Sequence, residues 1–394
     1  MSVAGSQQRT FLHLLAALRP EWRRDQNLPA RIQALLTRNR SFGSRDRRLY
    51  RELIYTTLRY LPWIEPWLDR EPRRAAKIVA WLAANTPATS RVRLELTGDW
   101  PPLPPDLAIR AAFLGESVEA LLPAWFRANC PEVFTSAELE AQLRRAPLWL
   151  RLQTDNTANV LDEFVRRGWR AEVSATLAGA VQVFGEPDIT KSDAYQQGAV
   201  EIQDLGSQLV LASAGIAPGG HWLDACAGVG GKTLQLARLL GPSGSVDAHD
   251  VRAAALRELA TRAHRARIVN VRILVAPPTE TYDGVLVDAP CSGTGTWRRA
   301  PHLKWTTTPE IVAASAARQL EILTQLAPRV RPGGHLLYAT CSLSHCENAD
   351  VIAQFLATHP AFTPDPAHPP RTIFPSQHDT DGFFVAALRQ TVNL

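Results

Sequence analysis

Apolar residues recur at helical spacing through the first third of the chain. Phe11, Leu12, Leu15 and Leu18 share one face of a segment at 8–19, and Ile32, Leu35 and Leu36 share one face at 29–37. Leu49, Leu53, Ile54, Thr57, Leu58 and Leu61 then form the apolar stripe of a longer helix, with Ser44 read as its cap. Shorter helices are predicted over 63–69, 72–86, 105–114, 117–128 and 136–144. Few alternating stretches interrupt them, so residues 1–144 read as an all-α bundle. Trp22, Trp63, Trp67, Trp81, Trp100 and Trp125 are read as core or interdomain residues, because a small bundle needs large rings to fill it.

The pattern changes near Pro147. Leu148–Leu152 and Ala180–Phe184 read as strands, and Val160, Leu161 and Phe164 mark a helix at 157–168. Residues 145–203 are therefore a small α+β linker module. Arg151, Gln153 and Asp155 fall where its first strand ends and are weak site candidates by position alone. Gln203 and Asp204 precede a helix at 205–214, with Asp204 read as its cap.

From residue 204 onward, short apolar runs alternate with helical stretches. Trp222–Cys226 reads as a strand, 227–233 as a glycine-rich turn, 234–240 as a helix and 244–250 as a second strand ending in Asp250. The series continues with a helix at 251–268, strands at 271–275 and 284–287, and a helix at 308–327. Pro332-Gly333-Gly334 is read as a turn before a strand at 335–339. A helix starts near 346–348, and the last strand falls at 381–388. This is an α/β Rossmann-like domain over 204–394.

Composition narrows the class without deciding it. The 394 residues are 45% apolar and 21% charged, with a formal charge of +5. Arginine greatly outnumbers lysine, and ten arginines face four acidic residues within 21–60. That balance permits a polyanionic partner and leans toward RNA, because the arginine fork matches phosphate. The five cysteines form no CxxC pair, which argues against a disulfide framework or a thiolate zinc site. No metal is expected. No stretch approaches ~18 consecutive apolar residues, so a cytoplasmic, membrane-free monomer is the expectation.

The glycine loop selects among nucleotide chemistries. A phosphate-binding GxxxxGK[ST] loop would need glycine at 226, where Cys226 stands, and the dinucleotide pattern would need glycine at 233, where Thr233 stands. An adenosine-bearing ligand without a long phosphate chain fits better, and S-adenosylmethionine is the obvious one. Asp288 and Cys291 follow one strand and Cys341 follows another, so both thiols can face one crevice. Two thiols and a carboxylate suit methylation of a cytosine at carbon 5. A thiolate adding to carbon 6 makes carbon 5 nucleophilic, and a second polar group can assist release. A carboxylate can orient the ring at nitrogen 3, and Lys232 can hold the base edge or favour a thiolate. Local context alone leaves open which thiol attacks.

Asp288-Ala289-Pro290-Cys291-Ser292-Gly293, Thr340-Cys341-Ser342 with Glu347-Asn348, the loop from Asp224 to Thr233, Gln203-Asp204, Asp46-Arg47 and Asp381-Gly382-Phe383-Phe384 together resemble the NOL1/NOP2/Sun family. The similarity is to bacterial ribosomal RNA cytosine-C5 methyltransferases with an N-terminal NusB-like helical domain, and it covers essentially the whole chain. The resemblance implies S-adenosylmethionine as cofactor, with 16S ribosomal RNA, before full subunit assembly, as partner. It implies Cys341 as the nucleophile, Cys291 as the residue assisting product release, and Asp288 and Lys232 as further catalytic residues. The implied cofactor set is Cys226, Ala227, Gly228, Val229, Gly230, Gly231, Lys232, Asp250, Arg252 and Asp288. A transfer-RNA cytosine-C5 methyltransferase and a catalytically impaired RNA-binding assembly factor are the rival readings. One departure stands out: where the family often has a Gly-Asp pair, this chain reads Val275-Ala276-Pro277-Pro278. Either cofactor affinity is lower, or Thr279, Glu280 or a backbone group serves instead.

Overall fold

The computed structural model describes residues 2–392; Met1, Asn393 and Leu394, the outermost residues of the first and last expected domains, lie outside it. Two compact units are present. The first runs to Arg145 and also takes in Thr296–Pro309; the second comprises Ala146–Gly295 and the chain from Glu310 onward.

The first unit is helical. Its main helices are Val3–Leu18, Leu28–Arg38, Ser44–Arg59, Leu61–Arg70 and Pro72–Leu82, followed by Ser90–Thr97, Leu107–Leu114 and Ser136–Leu143. The helix at Ser90–Thr97 carries too weak an apolar stripe to be read from the sequence, with only Val92 buried. Trp22, Trp63 and Trp81 are buried at its core. Each such ring removes on the order of 200 Å² from water, roughly 5 kcal/mol before entropy is charged against it. Ser44 is not the cap expected for its helix. Gly43 holds that position, and the Asp46 carboxylate reaches back to accept from the Gly43 N–H at 3.2 Å, which places an acid at the positive helix end. The helix expected at 117–128 is instead two single turns, Glu119–Leu121 and Ala124–Ala128. Pro123 separates them by holding Leu122 extended.

The segment Thr296–Pro309 is tied into this unit by backbone carbonyls. Arg298 donates to Arg144 and Arg145, Trp305 to Leu58, and Lys304 Nζ to Arg59 at 2.9 Å and Leu121 at 3.1 Å. Burial and the neighbouring Arg59 push the Lys304 ammonium down to about 7.

The second unit holds two sheets. Strands β1 (Leu148–Leu152), β2 (Ala171–Val173), β3 (Ala180–Val183) and β4 (Val200–Ile202) form an antiparallel sheet in the order β2-β3-β1-β4. The larger sheet is built from β5 (Gly220–Asp224), β6 (Gly244–His249), β7 (Val271–Leu274), β8 (Tyr282–Asp288), β9 (Val330–Thr340), β10 (Phe362–Pro364), β11 (Arg371–Ile373) and β12 (Phe383–Gln390). Its order is β10-β12-β9-β8-β5-β6-β7, with β11 on β12. Strands β5 to β9 are parallel, and β12 returns antiparallel to β9. Pro332-Gly333-Gly334 lies inside β9 as an irregularity rather than as a turn before it. The register against β8 jumps from Val330 to His335, since proline offers no ladder donor. The two sheets share one apolar core, in which Trp149 and Ala180 join Leu209, Leu286 and Val385. This unit has a Rossmann-like α/β architecture. The chain order leaves β5 in one direction to β6 and β7 and resumes on its other side at β8. A crevice therefore opens at the carboxyl ends of β5 and β8.

Candidate active site

The glycine loop begins where β5 ends. Ala227 N–H donates to the His249 carbonyl and Gly230 N–H to Ala227, both at 2.9 Å. Gly230 has φ +90°, and a Cβ there would sit 2.7 Å from Leu259 Cγ, so only glycine permits both the turn and the packing. The helix Gly231–Leu240 starts at once and aims its N-terminus at the crevice. Asp224 closes β5 with its side chain buried. One oxygen accepts from Thr233 Oγ1 at 2.7 Å, while the other has no hydrogen-bond partner. Burial, reinforced by the Asp288 charge, pushes this carboxyl up to about 7 against the opposing pull of Thr233 and Lys232. A buried, unsatisfied carboxylate oxygen beside a glycine loop is a ready acceptor for a cationic amino group.

Asp250 stands just beyond β6. It accepts from the Gly228 N–H at 2.8 Å, and from the Arg252 N–H at 2.8 Å and its guanidinium at 3.0 Å. Burial opposes its charge, but these donors outweigh burial and hold the carboxyl below its usual range. The Arg252 side chain is 69% exposed and can swing away, which would free the carboxylate for a pair of hydroxyls. Burial and the charges of Asp224, Asp288 and Asp250 push the Cys226 thiol up to about 12, so that sulfur stays protonated and its position in the loop is a backbone matter. Val229 is exposed on the loop. At the end of β7, Glu280 pairs with Arg272, which also grips Asp247; Arg329 takes the Thr279 carbonyl.

The two thiols come from adjacent strands. In the β8–β9 ladder Asp288 pairs with Ala339, so Cys291 and Cys341 lie a few residues beyond neighbouring strand ends. Their sulfurs are 3.2 Å apart. Gly295 closes the loop between them by donating to the Cys341 carbonyl at 2.9 Å and accepting from Gly382 at 2.7 Å. Lys232 Nζ is 2.9 Å from Asp288 Oδ2 and 5.2 Å from the Phe383 ring centre. Burial alone would lower the Lys232 value. The charge and hydrogen bond of Asp288, together with Cys341, raise it instead. The fold thus gathers Lys232, Asp288, Cys291 and Cys341 into one cluster and places Asp250 and Arg252 at the glycine loop.

Two residues named in the sequence reading, without the roles they take here, support the site. Arg151, weak by position alone, is buried and donates to Gln203 and Gln153 at 2.6 Å and to the Gly231 carbonyl at 3.3 Å. Burial brings its guanidinium down to about 9 despite the attraction of Glu201. It remains a cation at neutral pH and braces the glycine loop from the small sheet. Glu347, quoted only as part of a motif, is fully buried between the two cysteine loops. No local signal marks either role, since the contacts that define them, to Gly231 and to Ser292, span 80 and 55 positions.

Sheet order, glycine loop and paired thiols define the second unit as a Rossmann-like methyltransferase domain. Residues 214–389 match the family described as 16S rRNA methyltransferase RsmB/F. The "Probable ribosomal RNA small subunit methyltransferase B" of Bacillus subtilis is 34% identical over 256 residues, 59% of this chain and 57% of that protein. The ribosomal RNA small subunit methyltransferase B of Vibrio vulnificus is 31% identical over 265 residues, 64% of this chain and 61% of that one. The crystal structure of PH0851 superposes with a TM-score of 0.74 at 22% identity, covering 99% of this chain and 100% of that one. The structure of NSun6 from Pyrococcus horikoshii with SFG gives 0.61 at 18%, covering 68% and 97%; both show the shared fold. Residues 214–389 thus carry the RsmB/F methyltransferase domain, preceded in this chain by an all-α unit. The chain spans 50–61% of the length of the first curated relatives it matches. Among the described residues, no helix is long and apolar enough to cross a membrane.

Proposed function

We propose that the chain is an S-adenosylmethionine-dependent RNA methyltransferase that modifies carbon 5 of a cytidine in 16S ribosomal RNA. The observation that carries this reading is the pair of sulfurs 3.2 Å apart beside the Lys232–Asp288 ion pair. Bound S-adenosylmethionine would supply an electrophilic methyl group on a sulfonium. The open oxygen of Asp224 suits its amino group, the loop 226–232 its main chain, and Asp250 its ribose, with Arg252 displaced.

The target cytosine must leave its stack to enter the crevice. In this reading the Cys341 thiolate adds to carbon 6, and the pair of electrons displaced from the 5,6 double bond makes carbon 5 the nucleophile for the methyl group. Asp288 orients the ring at nitrogen 3, and Lys232 keeps that carboxylate aimed. Transfer of the carbon-5 proton to a water molecule in the crevice then restores the double bond and expels the Cys341 sulfur as thiolate. The Cys291 S–H, in hydrogen-bond reach, stabilises the leaving sulfur. The arginine-rich helical unit would bind RNA chiefly through backbone contacts, leaving specificity to RNA shape and unstacked bases.

The test is methyl transfer from labelled S-adenosylmethionine to unmethylated 16S RNA and, separately, to transfer RNA, followed by mapping of the modified base. A single 5-methylcytidine in 16S RNA is the expected product. Transfer to transfer RNA alone overturns the substrate assignment, and cofactor binding without any transfer favours an impaired assembly factor.

A further inference from the structure

Glu347 is an unusual group to find sealed between two reactive cysteines. Its carboxylate is fully buried, and four donors converge on it. One oxygen accepts from the Ser292 N–H at 2.8 Å and from Gln319 Nε2 at 3.0 Å. The other accepts from the Ser342 hydroxyl at 2.6 Å and from the Ser292 hydroxyl. Ser292 directly follows Cys291, and Ser342 directly follows Cys341. One carboxylate therefore fastens both thiol-bearing loops. Tyr338 extends the network, donating to Gln319 Oε1 at 3.0 Å and to the Glu347 carbonyl. Thr294 pairs with the Ser342 hydroxyl at 2.8 Å and accepts from the Leu343 N–H. A site offering four donors to one carboxylate is built for its ionised form.

The surroundings of the two sulfurs differ accordingly. Cys341 interacts with the buried ammonium of Lys232. Cys291 meets the negative charge of Glu347 instead. The other ionisable groups in reach are Asp288, already paired with Lys232, and Tyr338, whose phenol is pushed up by burial and by Cys291 and Glu347 and so stays neutral. His345 and Cys346 flank Glu347 in the chain. We propose that Glu347 is a positioning residue that decides which thiol attacks: it sets the two sulfurs in contact and keeps Cys291 as the S–H donor, leaving the thiolate to Cys341. The direction at Cys291 agrees. Its hydrogen bond to Cys341, its burial, and then the charges of Cys341 and Glu347 all raise its value well above that of an ordinary thiol.

The inference rests on the proposed covalent mechanism, but its test needs neither RNA nor methyl donor. The full-length protein is alkylated with iodoacetamide between pH 6 and 9.5, and the rate at each cysteine is read by peptide mass spectrometry. In the wild type, Cys341 should react first across this range; preferential alkylation of Cys291 at neutral pH overturns the proposal without any variant. In Glu347→Gln, the Cys291 profile should move to lower pH by about one unit, and the preference for Cys341 should fall about tenfold. Glu347→Asp, which keeps the charge, should retain the wild-type order. An unchanged Cys291 profile in a folded Glu347→Gln protein, or equal loss of selectivity in both variants, reduces Glu347 to a structural tie and rejects the assignment. Failure of methyl transfer to any RNA, with thiol selectivity as expected, would reject the function and leave standing only the control of thiol selectivity by Glu347.

Discussion

Lys232 Nζ sits 2.9 Å from Asp288 Oδ2, joining the first turn of the helix after the glycine loop to the end of β8. The lysine is buried and the carboxylate side chain is 31% exposed, so the pair is dry on one side and open to the crevice on the other. Such a pair can hold an acceptor in place for a planar base without quenching it.

Lys232→Met should leave Asp288 free to turn toward water. The fold should tolerate the change, because the remaining carboxylate can be solvated. Methyl transfer should drop by about 10²-fold, as expected for loss of one preorganised charge. Single-turnover transfer measured beside a thermal melt checks both parts; a rate within twofold of wild type would remove Lys232 from the site.

Cys341→Ala should abolish both turnover and any covalent protein–RNA species. Cys291→Ala should retain the attack and lose the assisted release, so a crosslinked complex should accumulate on a denaturing gel. If Cys341→Ala kept its activity, or the crosslink appeared in that variant instead, the two roles would have to be exchanged.

Arg151→Met should be costly for a residue outside the sheet that carries the chemistry. It strips donors from the buried Gln203 side chain and from the Gly231 carbonyl, and each orphaned acceptor costs about 1–3 kcal/mol. Urea denaturation should show a loss of that order, and isothermal titration should show weaker S-adenosylmethionine binding because the loop has lost its brace. Wild-type affinity in the variant would confine Arg151 to stability.

Asp224 links the site to pH. Its value of about 7 lies above the ordinary 3.8, so the folded chain holds this proton more tightly than the unfolded chain does. The stabilisation is fully present below about pH 4 and is lost as pH rises through about 7. Asp224→Asn should flatten the melting-temperature profile between pH 5 and 8. In the wild type, affinity for S-adenosylmethionine should rise over the same window as the carboxylate ionises, and in the variant it should not. Parallel profiles in the two proteins would show that Asp224 does not titrate there.

The large elements of the fold were readable because their causes are local. Apolar spacing marks the helices of the first unit, and short apolar runs followed by Asp224, Asp288 and Thr340 mark strands that must end at one edge of a parallel sheet. The glycine loop was readable for the same reason, since a turn that needs φ > 0 must show its glycines. Smaller features were lost where two local signals compete. Ser44 looked like the cap, but the Asp46 carboxylate serves the Gly43 N–H and displaces it. Pro332-Gly333-Gly334 looked like a turn, yet β8 pairs on both sides of it, at Val330 and again from His335, and so carries the strand through.

By itself, the sequence determined which residues could take part: a glycine loop, two thiols, a carboxylate and a lysine, each on an element whose type its own neighbours dictate. Only the tertiary structure decided how they meet. The 3.2 Å sulfur contact arises because β8 and β9 are adjacent and in register. The burial of Glu347 between Ser292 and Ser342, and the reach of Arg151 to Gly231, depend on residues 55, 5 and 80 positions away. The strength of a charge is set by what excludes water from it, and for these groups the excluding walls come from other parts of the chain.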